Sequence, residues 1–349
     1  MSNSSTSPPV LSVIVPCYNE HEVLPETVRR LEALLHELAA SGCIQASSRI
    51  WLVDDGSRDR TWQLITSACD APASLCCGLK LSRNRGHQIA LLAGLMNAPG
   101  DVLISVDADL QDDLQVIPMM LAKFAAGSDI VYGVRNSRRS DSFFKRVTAE
   151  GYYRLLDRLG VEVIFNHADY RLMSRRTVEA LRGFPESNIF LRGIIPQLGF
   201  PSTVVEYERR ERAAGESKYP FGKMLALAWQ GVTSFSAMPL RAITALGVTV
   251  SAISVALGFW ALGVRLFSSA AVPGWASIVI PLFLLSGVQL LSLGIIGEYL
   301  AKIFLETKRR PLYFVEQVRE ASSDAGASLG SGRAASNVTA IGASLPVEG

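Results

Sequence analysis

The chain has 349 residues, enough for two ordinary domains, and a net charge of only +2. Hydrophobic residues make up 49% and mean hydropathy is +0.24, an apolar excess that points to one concentrated apolar region. The charge balance argues against bulk attraction to nucleic acid. Five cysteines, an odd number without a Cys-x-x-Cys pair, argue against a disulfide framework or a zinc site and fit reduced thiols.

Residues 1–9 are rich in Ser, Thr and Pro, without the basic start or apolar run of a signal peptide. They read as a disordered N-terminus that starts in the cytoplasm. Val10–Val15 reads as a buried strand. Glu22–Ala40 follows as an amphipathic helix with Leu24, Val28, Leu31, Leu34, Leu35 and Leu38 on one side. Strands are then expected over Arg49–Val53, Gly78–Leu81, Asp101–Val106 and Asp129–Val134. Helices are expected between them over Thr61–Cys69, His87–Met96 and Val116–Ala126. This alternation predicts an α/β domain with a Rossmann-like, mainly parallel sheet and helices on both faces, placed over 10–219. Ligands of such sheets meet the carboxyl ends of the strands.

Beyond Tyr219 the composition changes. Residues 220–240 read as an interfacial helix, with Lys223 and Trp229 among apolar residues. Ala242–Val264 carries no charge and is long enough to span a bilayer; a second span fits 277–300, so 241–303 reads as two transmembrane helices. Arg241 before the first span, and Lys302, Lys308, Arg309 and Arg310 at the end of the second, place both flanks in the cytoplasm, with Arg265 a mild dissent. Residues 304–320 read as a juxtamembrane helix and 321–349 as a disordered tail.

The polar motifs follow the strand ends. Asp107-Ala108-Asp109 puts two carboxylates on one side of an extended segment, where they can hold Mg²⁺ or Mn²⁺ beside a diphosphate; surface polarity is the plainer alternative. Asp54-Asp55-Gly56-Ser57 suits either a turn with a helix cap or contacts to a nucleoside. Pro16-Cys17-Tyr18-Asn19-Glu20 is either an ordinary strand-to-helix loop or a cradle for the same nucleoside. The basic clusters Arg135–Arg146 and Arg209–Lys218 are either solvated, lipid-facing charge or phosphate clamps. Asp169 by itself suits a cap or an ion pair.

Taken with Asn84-Arg85-Gly86-His87-Gln88, Asp169-Tyr170-Arg171-Leu172-Met173-Ser174 and Gly215-Glu216-Ser217-Lys218-Tyr219, these motifs resemble family 2 glycosyltransferases of the A fold. Within them the pattern is similar to the dolichol-phosphate mannosyltransferase type and its bactoprenol glucosyltransferase branch. The likeness runs over about 10–318. It implies that Pro16, Tyr18, Asn19, Glu20, Asp54, Asp55, Gly86, Asp107 and Ala108 bind the nucleotide sugar, and that Asp107, Asp109 and Gln111 surround the divalent metal. It further implies that Asp169 and Asp109 are catalytic, Asp169 as a base or a sugar-orienting group. Arg135, Lys145, Arg146, Arg212, Ser217 and Lys218 would meet the acceptor phosphate from loops.

The implied reaction moves a sugar, with glucose from UDP-glucose as the leading choice, to undecaprenyl phosphate at the cytoplasmic face of the bacterial plasma membrane. It would be metal-dependent and inverting, and would serve cell-envelope glycan or lipopolysaccharide modification. The resemblance also implies a homo-oligomer, a tetramer. Two features depart from the family pattern: Asp113-Leu114 where Pro often follows the metal motif, and Ala168 where Gly is common. The rival readings are a processive polysaccharide synthase, which would bring a Gln-x-x-Arg-Trp motif absent here, and a non-catalytic lipid-handling membrane partner.

Overall fold

The computed structural model describes residues 7–109, 111–135, 167–184, 189–207, 238–267, 275–308 and 310–321. The chain forms two compact units: Met1–Tyr153, Glu162–Ser217 and Arg309–Gly349 make the first, and Arg154–Val161 with Lys218–Lys308 the second.

The first unit is built on an eight-stranded sheet. Its strands are β1 (Leu11–Cys17), β2 (Arg49–Asp54), β3 (Cys76–Leu81), β4 (Val102–Ser105), β5 (Ile130–Arg135), β6 (His167–Ser174), β7 (Ser202–Tyr207) and β8 (Val315–Arg319). They lie in the order β7-β5-β6-β4-β1-β2-β3-β8. β3, β2, β1 and β4 are mutually parallel. β1 therefore has β2 on one side and β4 on the other, which makes their shared carboxyl edge a topological switch point. Every residue of β1 is buried, as a central parallel strand covered on both faces requires.

Helix α1 (Leu24–Ala40) starts with Pro25 in its first turn and buries Leu24, Leu31, Leu34, Leu35 and Leu38, most of the stripe expected from the sequence. Helices α2 (Thr61–Cys69), α3 (His87–Asn97) and α4 (Ile117–Ala125) follow β2, β3 and β4. α3 lies unusually close to the sheet because Gly94 faces Ile14 and Val53, where a Cβ would collide. That close seat brings its first turn to the carboxyl edge. Beyond β6, α5 (Arg175–Leu181) and α6 (Leu191–Gln197) complete the fold.

Several expectations are corrected. The juxtamembrane helix over 304–320 does not form as a unit: helix ends at Thr307, and Val315–Arg319 returns to the first unit as β8. β8 pairs antiparallel with β3, matching Gly78 to Arg319 and Leu79 to Val318. Lys80–Glu316 at 3.0 Å and Tyr313–Asn97 at 3.1 Å tie it further. Val315 and Val318, three residues apart, carry no strand period, so pairing with β3 and not local pattern makes this segment a strand. At the N-terminus, Pro8 and Pro9 are held by Gln45 through bonds of 2.7 and 3.0 Å, so the ordered chain begins before residue 10. The sheet is also more mixed than alternation implies, since β6 runs antiparallel to both β4 and β5.

The interfacial helix expected over 220–240 falls outside the described residues except for its last three, which begin the next helix. The tail beyond residue 321 is likewise outside them.

The second unit contains two long helices, α7 (Met238–Phe267) of 30 residues and α8 (Trp275–Thr307) of 33. Among the described residues one segment, Leu285–Thr307, is long and apolar enough to cross a membrane, with mean hydropathy 1.5 and none of it buried. Leu290, Leu291, Leu293, Leu300, Ile303 and Phe304 are all exposed there.

Candidate active site

Four loops meet at the carboxyl edge, and backbone bonds lock them together. After β1, Asn19 takes a left-handed conformation (φ 56°), which Asn tolerates better than most residues. Its N–H donates to Ser57 Oγ at 3.0 Å, and its Oδ1 accepts from Arg58 N–H at 2.9 Å. Glu20 N–H donates to Thr61 Oγ1 at 2.9 Å. Tyr18 stands between, 41% exposed at the rim.

After β2, the buried Asp55 accepts from Arg85 N–H at 2.7 Å and Gly86 N–H at 2.8 Å, one bond on each oxygen. Gly56 (φ 66°) is pressed against the same loop: a Cβ would sit 2.6 Å from Arg83 C and Asn84 N. Asp54 is also buried and accepts from Ser57 N–H at 3.2 Å. Burial raises the proton affinity of both aspartates above the ordinary carboxylate range. Asp55 thus shapes the loop that precedes α3.

After β4, the backbone of the Asp107-Ala108-Asp109 motif is fixed by Thr27, whose hydroxyl donates to the Ala108 carbonyl at 2.7 Å. Asp109 is exposed and accepts from Gln111 N–H at 3.2 Å. Asp107, 34% exposed, has its carboxyl pushed up to about 6. Burial is the main cause; His87 pulls the other way, while Asp112, Asp169 and Asp109 add to the rise. Burial, then Asp109, Asp59 and Asp107, raise Glu20 as well. Carboxylates crowded in this way favour a cation among them.

The donor set fits a divalent ion that is completed by substrate. Among the described residues no three His, Cys, Asp or Glu side chains form a ready metal cage. Mg²⁺ is usually held by one or two carboxylates plus substrate phosphates, which is what Asp107 and Asp109 offer. Gln111 is buried, and its Oε1 has no hydrogen-bond partner among the described residues. Asp113, the departure from the family pattern, does a local job instead: it caps the turn Leu114–Val116 by accepting from Gln115 N–H at 3.3 Å.

Opposite the metal motif stands Asp169 on β6, its side chain 7% exposed. Arg171, two residues on and fully buried, donates to its Oδ1. Arg192 of α6 forks onto both oxygens, Nε to Oδ1 at 3.1 Å and Nη2 to Oδ2 at 3.0 Å. Gln88 Nε2 adds a bond of 3.0 Å, while its Oε1 accepts from Leu191 N–H at 3.2 Å and so ties α3 to the start of α6. His87 Nε2 lies 3.5 Å from both Asp107 and Asp169 and bridges the two carboxylates. Burial alone would raise Asp169, but the bond from His87 and the charges of Arg171 and Arg192 hold it well below the usual carboxylate range. For His87, burial is outweighed by Asp169 and Asp107, and its proton affinity rises.

Residues 12–182 match the model of glycosyl transferase family 2. Over 312 residues the chain is 49% identical to the uncharacterized glycosyltransferase YkoT of Bacillus subtilis, covering 89% of this chain and 92% of that protein. The chain belongs to glycosyl transferase family 2. The bactoprenol glucosyl transferase of Shigella phage SfX is 40% identical over 311 residues, with 88% of this chain and 98% of that protein covered. A prophage bactoprenol glucosyl transferase homolog of Escherichia coli is 37% identical over 314 residues, with 89% and 99% covered.

This glycosyltransferase has the mostly parallel α/β sheet of the A fold, as the motifs implied. Pro16, Tyr18, Asn19, Glu20, Asp54, Asp55, Gly86, Asp107, Ala108 and Asp109 all fall on the four converging loops or the strand ends that lead into them. Asp169 joins them from β6. Arg135 is described only as the last residue of β5; Lys145, Arg146, Arg212, Ser217 and Lys218 lie outside the described residues.

Sequence reasoning assigned no role to His87, Gln88, Arg171 or Arg192. The first two were visible inside a quoted motif, and Arg171 shares a strand face with Asp169. Arg192 carries no local signal.

Proposed function

We propose that this family 2 glycosyltransferase transfers glucose from UDP-glucose to undecaprenyl phosphate at the cytoplasmic face of the plasma membrane, with inversion and with help from Mg²⁺ or Mn²⁺. The observation that carries the reading is the convergence of the β1, β2 and β4 loops on one carboxyl edge, with Asp107 joined through His87 to Asp169 and its arginines. The full-length likeness to proteins named bactoprenol glucosyl transferase supports the choice of sugar and lipid.

A divalent ion on Asp107 and Asp109 would neutralise charge on the departing nucleotide diphosphate. The remaining chemistry is alignment. Tyr18, on the rim, offers a ring to the nucleoside, and the 83–86 loop held by Asp55 borders the same space. The acceptor is a phosphate monoester with a second pKa of about 6, already largely ionised near neutral pH, so it needs little help from a base. Asp169, paired with two guanidiniums, fits an anchoring role better than that of a base.

Chain connectivity supports two membrane spans. β7 and β8 belong to one sheet, so the chain between Tyr207 and Val315 leaves and returns on the same side of any bilayer. The number of crossings between them must be even. If Leu285–Thr307 crosses, α7 is, among the described residues, the other helix long enough to supply a second crossing. A polyprenyl phosphate keeps its tail in lipid, so a site tethered in this way meets it at the interface.

The test is a donor panel (UDP-glucose, UDP-galactose, UDP-GlcNAc and GDP-mannose) with membranes carrying the full chain and a short-chain polyprenyl phosphate, read by mass spectrometry. A hexosyl lipid phosphate formed from UDP-glucose is expected. No lipid-linked product from any donor would refute the reading.

A further inference from the structure

We propose that His87 is the positioning residue that sets the Asp107 carboxylate for the divalent ion, and that it takes its bearing from Asp169. This rests on the metal reading above and adds a residue to it.

The parts of the Asp107-Ala108-Asp109 motif are fixed by different means. Thr27 holds the backbone at Ala108, and Asp109 accepts from Gln111 N–H at 3.2 Å. The Asp107 carboxylate has neither support. Among the described residues its one side-chain donor is His87, whose Nε2 lies 3.5 Å from Oδ1. The other ionisable groups felt there, Asp112, Asp169 and Asp109, are acids and cannot hold it. Without a donor, a carboxylate swings on its side-chain torsions.

Asp169 is a rigid reference point. It accepts from Arg171, from Nε and Nη2 of Arg192 and from Gln88 Nε2. His87 Nε2 lies 3.5 Å from Asp169 Oδ2 as well. One N–H shared between a held carboxylate and an unheld one orients the second against the first. The neutral imidazole with its proton on Nε2 suffices for this. Both distances are long for a hydrogen bond, as in a donor shared by two acceptors, and bonds of this kind tighten in a loaded active site.

The backbone that carries His87 is equally well held. His87 is the first residue of α3, and the two residues before it, Arg85 and Gly86, donate to the two oxygens of Asp55 at 2.7 and 2.8 Å. Gly86 takes φ 92°, a value open to glycine, and its carbonyl accepts from Ile89 and Ala90 N–H to begin the helix. Gln88, the next residue, bonds both Asp169 and the N–H of Leu191. A donor on one oxygen of a carboxylate leaves the other for a cation. Losing an outer partner of this kind weakens metal affinity about 10–100-fold.

The experiment measures Mn²⁺ binding directly, by the electron paramagnetic resonance signal of the unbound ion, with the full chain in detergent micelles and UDP present. It compares wild type with His87→Ala, His87→Gln and the Asp107→Asn/Asp109→Asn double variant. His87→Ala should weaken Mn²⁺ about tenfold or more. His87→Gln, which keeps an N–H donor at similar reach, should stay within about threefold of wild type. UDP binding without metal, read by calorimetry, should change by no more than about twofold in either variant, because His87 acts through Asp107 on the ion and not on the nucleotide.

Mn²⁺ bound by His87→Ala as tightly as by wild type, or more tightly, overturns the inference, as does a His87→Gln variant no better than His87→Ala. An equal loss of metal-free UDP binding overturns it too, since the defect would then lie in the pocket as a whole. If His87→Ala fails to fold, His87→Asn, whose amide is too short to span both carboxylates, takes its place with the same expectation. A wild type that binds no Mn²⁺, or that binds it unchanged in the Asp107→Asn/Asp109→Asn variant, refutes the metal reading itself. A wild type that depends on those two acids and ignores His87 refutes the inference alone.

Discussion

Two carboxylates on either side of His87 live in opposite surroundings. Asp107 sits among other acids and holds its proton up to about 6, whereas Asp169 sits among cations and stays ionised far into acid. Acids outnumber the one histidine around the first, whereas guanidiniums flank the second. The proposed reaction, which brings a metal-bound diphosphate and a bare phosphate together, would use this asymmetry, and one histidine marks its border.

The largest effect that can break the comparison lies on the acidic side. Replacing both Asp107 and Asp109 by Ala should lower transfer on the order of 10³-fold, since a metal's charge stabilisation amounts to several kcal/mol. EDTA should reproduce the loss in wild-type membranes, and undiminished transfer in either case would remove the metal from the account.

Next comes stability on the cationic side. Asp169→Ala leaves Arg171 buried without its counter-ion and should cost about 3–5 kcal/mol in denaturant unfolding of the solubilised protein. Asp109→Ala removes an exposed acid and should change stability by no more than about 0.5 kcal/mol. Equal costs for the two would erase the distinction drawn here.

Smaller effects sharpen the picture of the donor rim. Gly56→Ala should cost at least about 1–2 kcal/mol from its left-handed backbone and should raise KM for the donor, because the Cβ pushes on the loop at Arg83 and Asn84. Asp113→Ala should cost about 1 kcal/mol as a lost cap while metal dependence, read by Mg²⁺ titration of transfer, stays as in wild type. A shifted Mg²⁺ requirement would draw Asp113 into the metal site after all.

Much of the parallel half was legible in the sequence. The five strands and four helices expected before residue 136 all occur, with ends shifted by a few residues, because buried parallel strands are short apolar runs and their covering helices carry a 3.6 period. The antiparallel strand β6, by contrast, was not foreseen as a strand: its residues mix Arg171 and Asp169 with apolar side chains. A charged pair that neutralises itself inside the sheet looks polar in one dimension. β8 lies where the sequence reading expects a juxtamembrane helix; its partner, β3, is more than two hundred residues earlier, beyond the reach of local pattern.

The sequence by itself determined that this is a family 2 glycosyltransferase with its polar loops after successive strand ends, since those motifs are contiguous and their order is the order of the chain. Tertiary structure decided which acids stay charged. Asp107 and Asp169 are the same residue type; the first stands among other acids, while the second meets Arg171 of its own strand and the side chains that α3 and α6 bring to it. Coulomb energy falls with distance through space, and no spacing along the chain between Asp169 and Arg192 encodes a contact of 3.0 Å.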